Sequence, residues 1–230
     1  MKIRPLVFIA LLGASMCQSA AAQSDSARIL GPSGSSYAVP VTSLKGARFV
    51  STLRQQYDFS CGSAAVATLL THHYDRKVDE VEVFRHMYER GDQAKIRREG
   101  FSMLDMKLYL DGSGFRAEGV RASLDQLSAA RVPAIALIRE NGYAHFVVVK
   151  GLRAKRVVIG DPAMGTRVLD RADFERFWTN GILLVINDQP ERARFDRDED
   201  WRVRPPAPIG QGIGGNATDV LLLRRGPMDF

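Results

Sequence analysis

The sequence contains little cysteine, and it lacks the short motifs of ATP-binding and zinc-binding proteins. Only two of its 230 residues are cysteines, so a scaffold held together by disulfides is excluded. No Gly-Lys dipeptide occurs, which excludes a P-loop and therefore an ATPase within this chain. The four histidines form no H-E-x-x-H motif, and no His/Cys/Asp cluster has the spacing of zinc ligands. We therefore expect no metal, no other cofactor and no ATP.

Charge of one sign is also scarce. The 32 Lys and Arg residues exceed the 26 Asp and Glu residues by only six, and acids are interleaved with bases almost throughout. This distribution differs from the basic patch of a protein that binds nucleic acid. With 45% hydrophobic and 25% charged residues, the composition is that of an ordinary globular protein. The length suits one domain of roughly 150–200 residues with appendages.

The N-terminus has the pattern of a secretory signal peptide over residues 1–22. Lys2 and Arg4 supply the positive start, a short apolar run follows, and three alanines end the segment. The apolar run is too short for an ordinary transmembrane helix. A lipoprotein signal through Cys17 fits less well, because the bulky Met16 precedes it. We expect a cleaved signal and a soluble periplasmic or secreted protein, in which Cys61 is the only cysteine.

The C-terminal residues 188–230 differ in texture from the rest. They contain five of the ten prolines, clustered glycines and a mixed-charge run over 191–204, a composition that predicts an extended or poorly ordered tail. The glycines of 210–215 satisfy G-x-G-x-x-G. A proline-rich run precedes them instead of a strand, so a dinucleotide site is not expected. The Gly214-Gly215 pair also raises the hypothesis of self-cleavage after a double glycine.

Between these ends, residues 50–187 have the pattern of one folded domain, preceded by a lead-in over 23–49. The first half is helical in period, and the second half consists of β-rich runs separated by turns. The predicted helices are 61–74, 79–89, 102–110, 123–130 and 172–178. The predicted strands are 133–139, 143–150, 156–159, 165–169 and 182–186. Helices first and an antiparallel meander second indicate an α+β fold.

Cys61 stands at the start of the first predicted helix. A helix N-terminus presents unpaired N–H groups and a positive partial charge, which favour thiolate over thiol. Gly62 and the small residues after it would let a substrate backbone approach the sulfur. The alternative is a buried, inert cysteine that packs as a small hydrophobic residue.

A thiolate nucleophile needs a base, and His145 is the candidate. His72 and His73 lie on the helix of Cys61 but about 16 Å along it, too far to reach the sulfur. His86 lies among charged residues on another helix and is predicted to be at the surface. His145 interrupts an apolar strand just after an Asn-Gly turn. A satisfied core histidine is the alternative there.

Asp161 is the candidate for the group that orients the base. It ends the strand that follows the one carrying His145, and adjacent antiparallel strands place their residues side by side. As part of an Asp-Pro pair it also suits a turn. The remaining requirement is a donor for the oxyanion, which the side-chain amide of Gln55 and the backbone N–H of Cys61 could supply. Gln56 is an alternative to Gln55.

These segments resemble those of a known peptidase family. The matching residues are Gln55 to Ala65 (QQYDFSCGSAA), His145 to Val149 (HFVVV), Asp161 to Gly165 (DPAMG), and Phe174 with Trp178. They are similar to the bacteriocin-processing cysteine peptidases of family 39, papain-like domains that cut export leaders after a double glycine. The resemblance covers residues 50–187. It implies a papain-like fold with Cys61 as nucleophile, His145 as base, Asp161 as orienting acid and Gln55 in the oxyanion hole.

The usual setting of that family is an ABC exporter, and this chain shows neither a transmembrane region nor a nucleotide-binding domain. It is more similar to stand-alone periplasmic members found with functional-amyloid (Fap-type) export systems. The resemblance therefore implies an exported polypeptide as substrate, with outer-membrane or secretion-system components as further partners. Two other classes stay open: a papain-like cell-wall hydrolase, and a non-catalytic export accessory that binds a partner.

Overall fold

The computed structural model describes residues 26–30, 36–40 and 43–203, and the chain divides into two units at residue 42. In the first unit, β1 (Ser26–Leu30) pairs antiparallel with β2 (Ser36–Pro40). The predicted signal peptide over 1–22 and the chain from residue 204 onward lie outside the described residues. The second unit, from Ser43, contains the domain predicted from the sequence.

Helices dominate the first half of this domain, and polar caps set where several of them begin. The helices are α1 (Leu44–Arg48), α2 (Cys61–Thr68), α3 (Glu80–Arg90), α4 (Gln93–Glu99) and α5 (Met103–Gly112). Asp79 caps α3, and Ser102 forms a capping box with Asp105 at the start of α5. The second predicted helix is thus present as α3 and the third as α5.

The second half builds a six-stranded antiparallel sheet in the order β3-β8-β4-β5-β6-β7. Its strands are β3 (Ala117–Arg121), β4 (Ala134–Glu140), β5 (Tyr143–Arg153), β6 (Arg156–Asp161), β7 (Gly165–Asp170) and β8 (Ile182–Ile186). Asn141 and Gly142 both have positive φ, as a tight hairpin turn requires. Strands β4 to β7 form the predicted meander, and β8 returns to the other edge of β4. The α+β prediction is confirmed.

Helices cover both faces of the sheet. On one face, α2, α3 and α5 pack with Phe146 and Val148 around a buried cluster that contains Cys61. On the other face, α6 (Leu124–Ala130) and α7 (Arg171–Phe177) pack against Val147 and Val149. Burial on both faces explains why the sequence of β5 is an almost continuous apolar run and lacks polar alternation.

Within residues 50–187, two elements, β3 and α4, were not predicted from the sequence, and the first predicted helix is not uniform. β3 is short and mostly exposed, and α4 buries only Ile96, so neither carries a clear apolar period. The helix predicted over 61–74 is α-helical to Thr68 and continues as a π-helical turn over Leu69–His73. Periodicity alone does not distinguish these two helix types.

The prediction of an extended or poorly ordered tail from residue 188 is wrong for its first part. Residues 188–203 include a 3₁₀ turn at Pro190–Arg192 and the short helix α8 (Asp198–Trp201). Phe195 is buried, and the N–H of Asp196 donates to the carbonyl of Lys150 on β5 at 2.8 Å. The mixed-charge composition of this segment did not indicate that one of its aromatic residues and one of its carboxylates are buried.

The buried carboxylate is that of Asp200, and its partner is Lys150. Both side chains are almost completely inaccessible to solvent, and Lys150 Nζ donates to Asp200 Oδ1 at 2.7 Å. The same ammonium donates to the carbonyl and hydroxyl oxygens of Ser51 at 2.6 and 2.7 Å. One buried cation therefore joins the C-terminal segment, β5 and the chain that leads to α2.

Candidate active site

The thiol of Cys61 lies at the start of α2, where the helix meets the sheet. The helix is built of small residues, all of them buried, and Cys61 itself is 7% exposed. A Cβ at Gly62 would lie 2.9 Å from Cβ of Phe101. Glycine is thus required here for close packing against the segment before α5, which is a different reason from the substrate approach expected from the sequence.

Burial dominates the electrostatics of this thiol. It raises the pKa of Cys61, and the negative charge of Asp161 acts in the same direction. Backbone hydrogen bonds from Phe146 and Gly62 lower the pKa but do not outweigh burial. The expected thiolate-favouring effect of the helix N-terminus is therefore too small on its own, and a thiolate at this position needs a cationic neighbour.

His145 lies on β5, directly before Phe146, whose backbone contacts the thiol. The imidazole is 6% exposed, and its Nε2 is 3.1 Å from Oδ2 of Asp161. Within residues 43–203 the buried Nδ1 has no hydrogen-bond partner. The ring stacks on Tyr143 with centroids 5.4 Å apart. One ring nitrogen is thus held by a carboxylate, and the other is available for proton transfer.

Asp161 is fully buried at the end of β6, and all of its acceptor capacity is used. Oδ1 accepts the backbone N–H groups of Ala163 and Met164 at 2.9 and 3.1 Å, so this residue also shapes the turn that follows. Oδ2 faces His145 and lies 2.9 Å from Nη2 of Arg167. Burial raises the pKa of Asp161, but His145, Arg167 and the turn outweigh it, and the net pKa is lowered.

Gln55 lies in the loop before Cys61, with its side-chain amide directed to that loop. Nε2 donates to the carbonyls of Tyr57 and Asp58 at 3.0 and 3.4 Å. Its backbone N–H donates to the carbonyl of Pro162 at 3.1 Å, which ties the loop to the turn after Asp161. The structure thus brings Gln55 close to the site, and its oxyanion role stays a prediction. Gln56 is exposed.

A cavity of about 630 Å³ lies beside Cys61. Its apolar wall is formed by Phe59, Phe101, Met103, Leu137, Phe146 and Ile182. Charged residues also line it: Lys95, Arg97, Arg98 and Glu99 of α4, together with Asp58. A second cavity, of about 660 Å³, lies beside β7 and α8, and neither Cys61 nor His145 lines it. The first cavity has the volume and lining of a peptide-binding groove.

Sequence reasoning missed two residues of the site, Tyr143 and Arg167. Tyr143 was treated only as a strand residue, although it stands two positions before His145 and therefore shares its face. Its hydroxyl donates to the carbonyl of Asp58 at 3.1 Å, next to the loop of the nucleophile. Arg167 resembles any charged residue on an outer strand, and nothing in the sequence alone reveals its contact with Asp161.

The other histidines are outside the site. His73 is fully buried, with Nδ1 2.6 Å from the carbonyl oxygen of Arg194. Burial lowers its pKa to about 3. His86 was predicted to be at the surface, but it is partly buried, with its ring 5.0 Å from that of Tyr109.

Within the described ranges, no group of three or more His, Cys, Asp or Glu side chains is arranged to hold a metal ion. Among the same residues, no helix has the length and hydrophobicity to cross a membrane.

A cysteine at the N-terminus of a buried helix, packed on an antiparallel sheet that carries a His–Asp pair, defines a papain-like cysteine peptidase. Comparison with known proteins specifies the group. The model of the peptidase C39 family matches residues 50–191, and the chain belongs to that family. The resemblance found in the sequence is thereby confirmed, as are the papain-like fold and the cysteine peptidase class.

The named relatives include a probable functional amyloid protease and a secretion/processing ATP-binding protein. The chain is 38% identical over 178 residues to the "Probable functional amyloid protease FapD" of Pseudomonas fluorescens, covering 77% of this chain and 76% of that protein. It is 24% identical over 143 residues to the "Colicin V secretion/processing ATP-binding protein CvaB" of Escherichia coli, covering 62% of this chain and 19% of that protein. The crystal structure of the peptidase domain of Streptococcus ComA shares its fold, with 20% identity, a TM-score of 0.50, and coverage of 59% of this chain and 97% of that domain.

Proposed function

We propose that this peptidase hydrolyses peptide bonds of an exported polypeptide through Cys61, His145 and Asp161. The observation that carries the proposal is the placement of His145. Its Nε2 faces the carboxylate of Asp161, while its Nδ1 has no partner among residues 43–203. His145 directly precedes Phe146, whose backbone contacts the thiol. A base that is oriented on one side and free on the other is what proton transfer from a buried thiol requires.

The reaction follows from these positions. The thiol proton of Cys61 passes to Nδ1 of His145, and the resulting thiolate attacks the carbonyl carbon of the substrate. The backbone N–H of Cys61 and the predicted donor Gln55 stabilise the oxyanion. The imidazolium then protonates the leaving amine as the C–N bond breaks. Water, deprotonated by His145, hydrolyses the thioester and restores the thiol.

The imidazolium also supplies the positive charge that the thiolate lacks. Burial raises the pKa of Cys61, so the negative sulfur is costly unless a cation lies beside it. Asp161, whose pKa is lowered, stays ionised and stabilises the charged imidazole. Asp161 therefore favours the thiolate of Cys61 indirectly, because it stabilises the imidazolium of His145.

The substrate class rests on the relatives. Two relatives named "Probable functional amyloid protease FapD" each cover about three quarters of this chain, so we assign this chain a substrate of a functional-amyloid export system. The predicted signal peptide supports a reaction in the periplasm or outside the cell, where outer-membrane or secretion-system components would be its partners. The apolar groove beside Cys61 suits an extended peptide with apolar side chains.

Labelling of Cys61 tests the proposed pair. In protein that begins at residue 23, Cys61 is the only thiol, so iodoacetamide reports on one atom. We expect His145→Ala to slow labelling at pH 7 by on the order of 10²-fold, because the thiolate loses its cation and its base. His86→Ala, which removes a partly buried histidine outside the site, is the matched control and should label like the wild type.

Equal rates for wild type and His145→Ala would contradict the proposal and favour the binding-module alternative. Release of fragments from purified peptidoglycan by the wild-type protein would instead assign a cell-wall hydrolase.

A further inference from the structure

Arg167 is a largely buried cation that the mechanism above does not use. Its side chain is 14% exposed. Nη2 lies 2.9 Å from Asp161 Oδ2 and donates to Glu140 Oε2 at 2.9 Å. The Nε atom of Arg167 is buried and has no partner within residues 43–203. A desolvated guanidinium with one unpaired donor is costly, and such a cost calls for an explanation in function or structure.

The topology shows where this cation acts. Glu140 ends β4, His145 is near the start of β5, Asp161 ends β6, and Arg167 lies on β7. Four successive strands of the sheet thus each contribute one group to a row that ends at the imidazole. Strands β5 and β6 lie between β4 and β7. The side chain of Arg167 therefore extends from β7 towards Glu140 on β4, across the strand ends that carry His145 and Asp161.

We propose that Arg167 is a positioning residue for His145, which holds the carboxylate of Asp161 in the plane of the imidazole while Glu140 holds the guanidinium. This inference rests on the proposed function of Cys61 and His145. With Cys61 as thiolate and His145 as imidazolium, the charges alternate in sign from Glu140 to the sulfur.

Two physical effects support this role. Burial favours the neutral form of Asp161, and the positive charge of Arg167 opposes that tendency. A carboxylate whose Oδ1 is held by two backbone N–H groups and whose Oδ2 is held by Arg167 cannot rotate away from the ring. Glu140 then neutralises Arg167, so that the guanidinium does not oppose the formation of an imidazolium close by.

A pH profile of the labelling rate would report on the titratable and charged groups around Asp161. They are His145 and Tyr143 from β5, Cys61 from α2, Arg167 from β7, and Glu140 from β4 through Arg167. Removal of Arg167 takes away one of the causes that lower the pKa of Asp161. The carboxylate is then protonated at a higher pH. The labelling rate therefore begins to rise at a higher pH than in the wild type.

The test measures the second-order rate of iodoacetamide labelling between pH 4 and 9, using protein that begins at residue 23. We expect Arg167→Met to slow labelling at pH 7 about 10-fold or more and to move the acid-side midpoint to higher pH. Arg167→Lys should restore part of both, since an ammonium can reach Asp161 but cannot bridge two carboxylates. Glu140→Gln should slow labelling by a smaller factor.

Arg171→Met is the matched control. Arg171 follows β7 and also binds two carboxylates, those of Asp125 and Glu175, but it is 28% exposed and does not contact the site. We expect this variant to keep the wild-type rate and midpoint. That result would show that the loss of an ion pair by itself does not cause the slower labelling and the shifted midpoint expected for Arg167→Met.

The outcomes separate this inference from the proposed function. If His145→Ala slows labelling but folded Arg167→Met matches the wild type in rate and midpoint, the role of Arg167 is overturned and the catalytic pair stands. A uniform slowing at every pH that Arg167→Lys does not relieve also overturns it. If His145→Ala labels like the wild type, both proposals fail. If Arg167→Met does not fold, an acid-side midpoint in Arg167→Lys equal to that of the wild type overturns the inference, and a midpoint moved to higher pH supports it.

Discussion

Replacing Asp200 with alanine is expected to lower the free energy of unfolding by about 3–5 kcal/mol. The substitution leaves Lys150 buried, with its charge no longer paired to a carboxylate. Hydroxyl and carbonyl oxygens of Ser51, Thr52 and Thr166 still accept from Nζ, but none of them carries a negative charge. The cost is therefore that of an unpaired buried cation, and it is large for a domain of ordinary stability.

Urea unfolding measures this effect as a shift of the midpoint at constant slope. Asp198→Ala is the matched control: it lies on the same helix and pairs with Arg153 at 2.6 Å, but its side chain is 72% exposed. The control should lose far less stability than Asp200→Ala, because solvent screens an exposed ion pair. A loss for Asp200→Ala that does not exceed that of the control would show that the buried pair contributes nothing to stability.

The double variant Lys150→Met with Asp200→Leu provides a second check on the cause. It removes both charges and fills their space with apolar groups, an exchange that is often neutral or stabilising for buried pairs. We expect it to unfold at a higher urea concentration than Asp200→Ala. A double variant as unstable as Asp200→Ala would point to lost packing in place of the unpaired charge.

Acidification is expected to destabilise the domain through His73. Burial lowers its pKa from 6.5 to about 3, so between these values the unfolded chain binds a proton that the folded chain does not. Stability therefore falls as the pH drops from about 6.5 towards 3, by up to about 1.4 kcal/mol for each pH unit. His72, whose pKa burial lowers to about 4, adds to the slope.

His73→Asn isolates this contribution. The asparagine amide can replace Nδ1 as donor to the carbonyl of Arg194, but it does not titrate. Urea midpoints between pH 7.5 and 4.5 should fall less steeply for the variant, because only the slope from His72 and other groups remains. The two proteins should run parallel above pH 7. Parallel curves over the whole range would contradict the assignment of the slope to His73.

Most of the fold follows from local patterns in the sequence. Helices with polar caps and an apolar stripe, such as α3, and strands bounded by tight turns, such as β5, have boundaries within a few residues of those predicted. The elements that were missed lack a clear apolar stripe. α4 buries one residue, and the segment over 188–203 depends on Phe195 and Asp200, whose partners are distant in sequence. Tertiary burial decides those cases, and local composition does not record it.

The contacts of the site also fall into those that the sequence predicts and those that it does not. The contact between His145 and Asp161 follows from strand order, which the sequence indicates. The side-chain direction of Gln55 and the contact between Arg167 and Asp161 depend on rotamers and on the crossing of strand ends. Sequence spacing has no information on either. The net rise in the pKa of Cys61 was also missed, because it depends on burial by residues that are distant in sequence.

The Lys150–Asp200 pair has a consequence for the order in which the domain is completed during synthesis. Ribosomes make the chain from its N-terminus, so the residues matched by the family model, 50–191, exist before Asp200 does. Until then, Lys150 has no carboxylate to accompany it into the core, so burial of β5, which carries His145, is less favourable. The last described helix is therefore expected to stabilise the arrangement of nucleophile and base only late in synthesis.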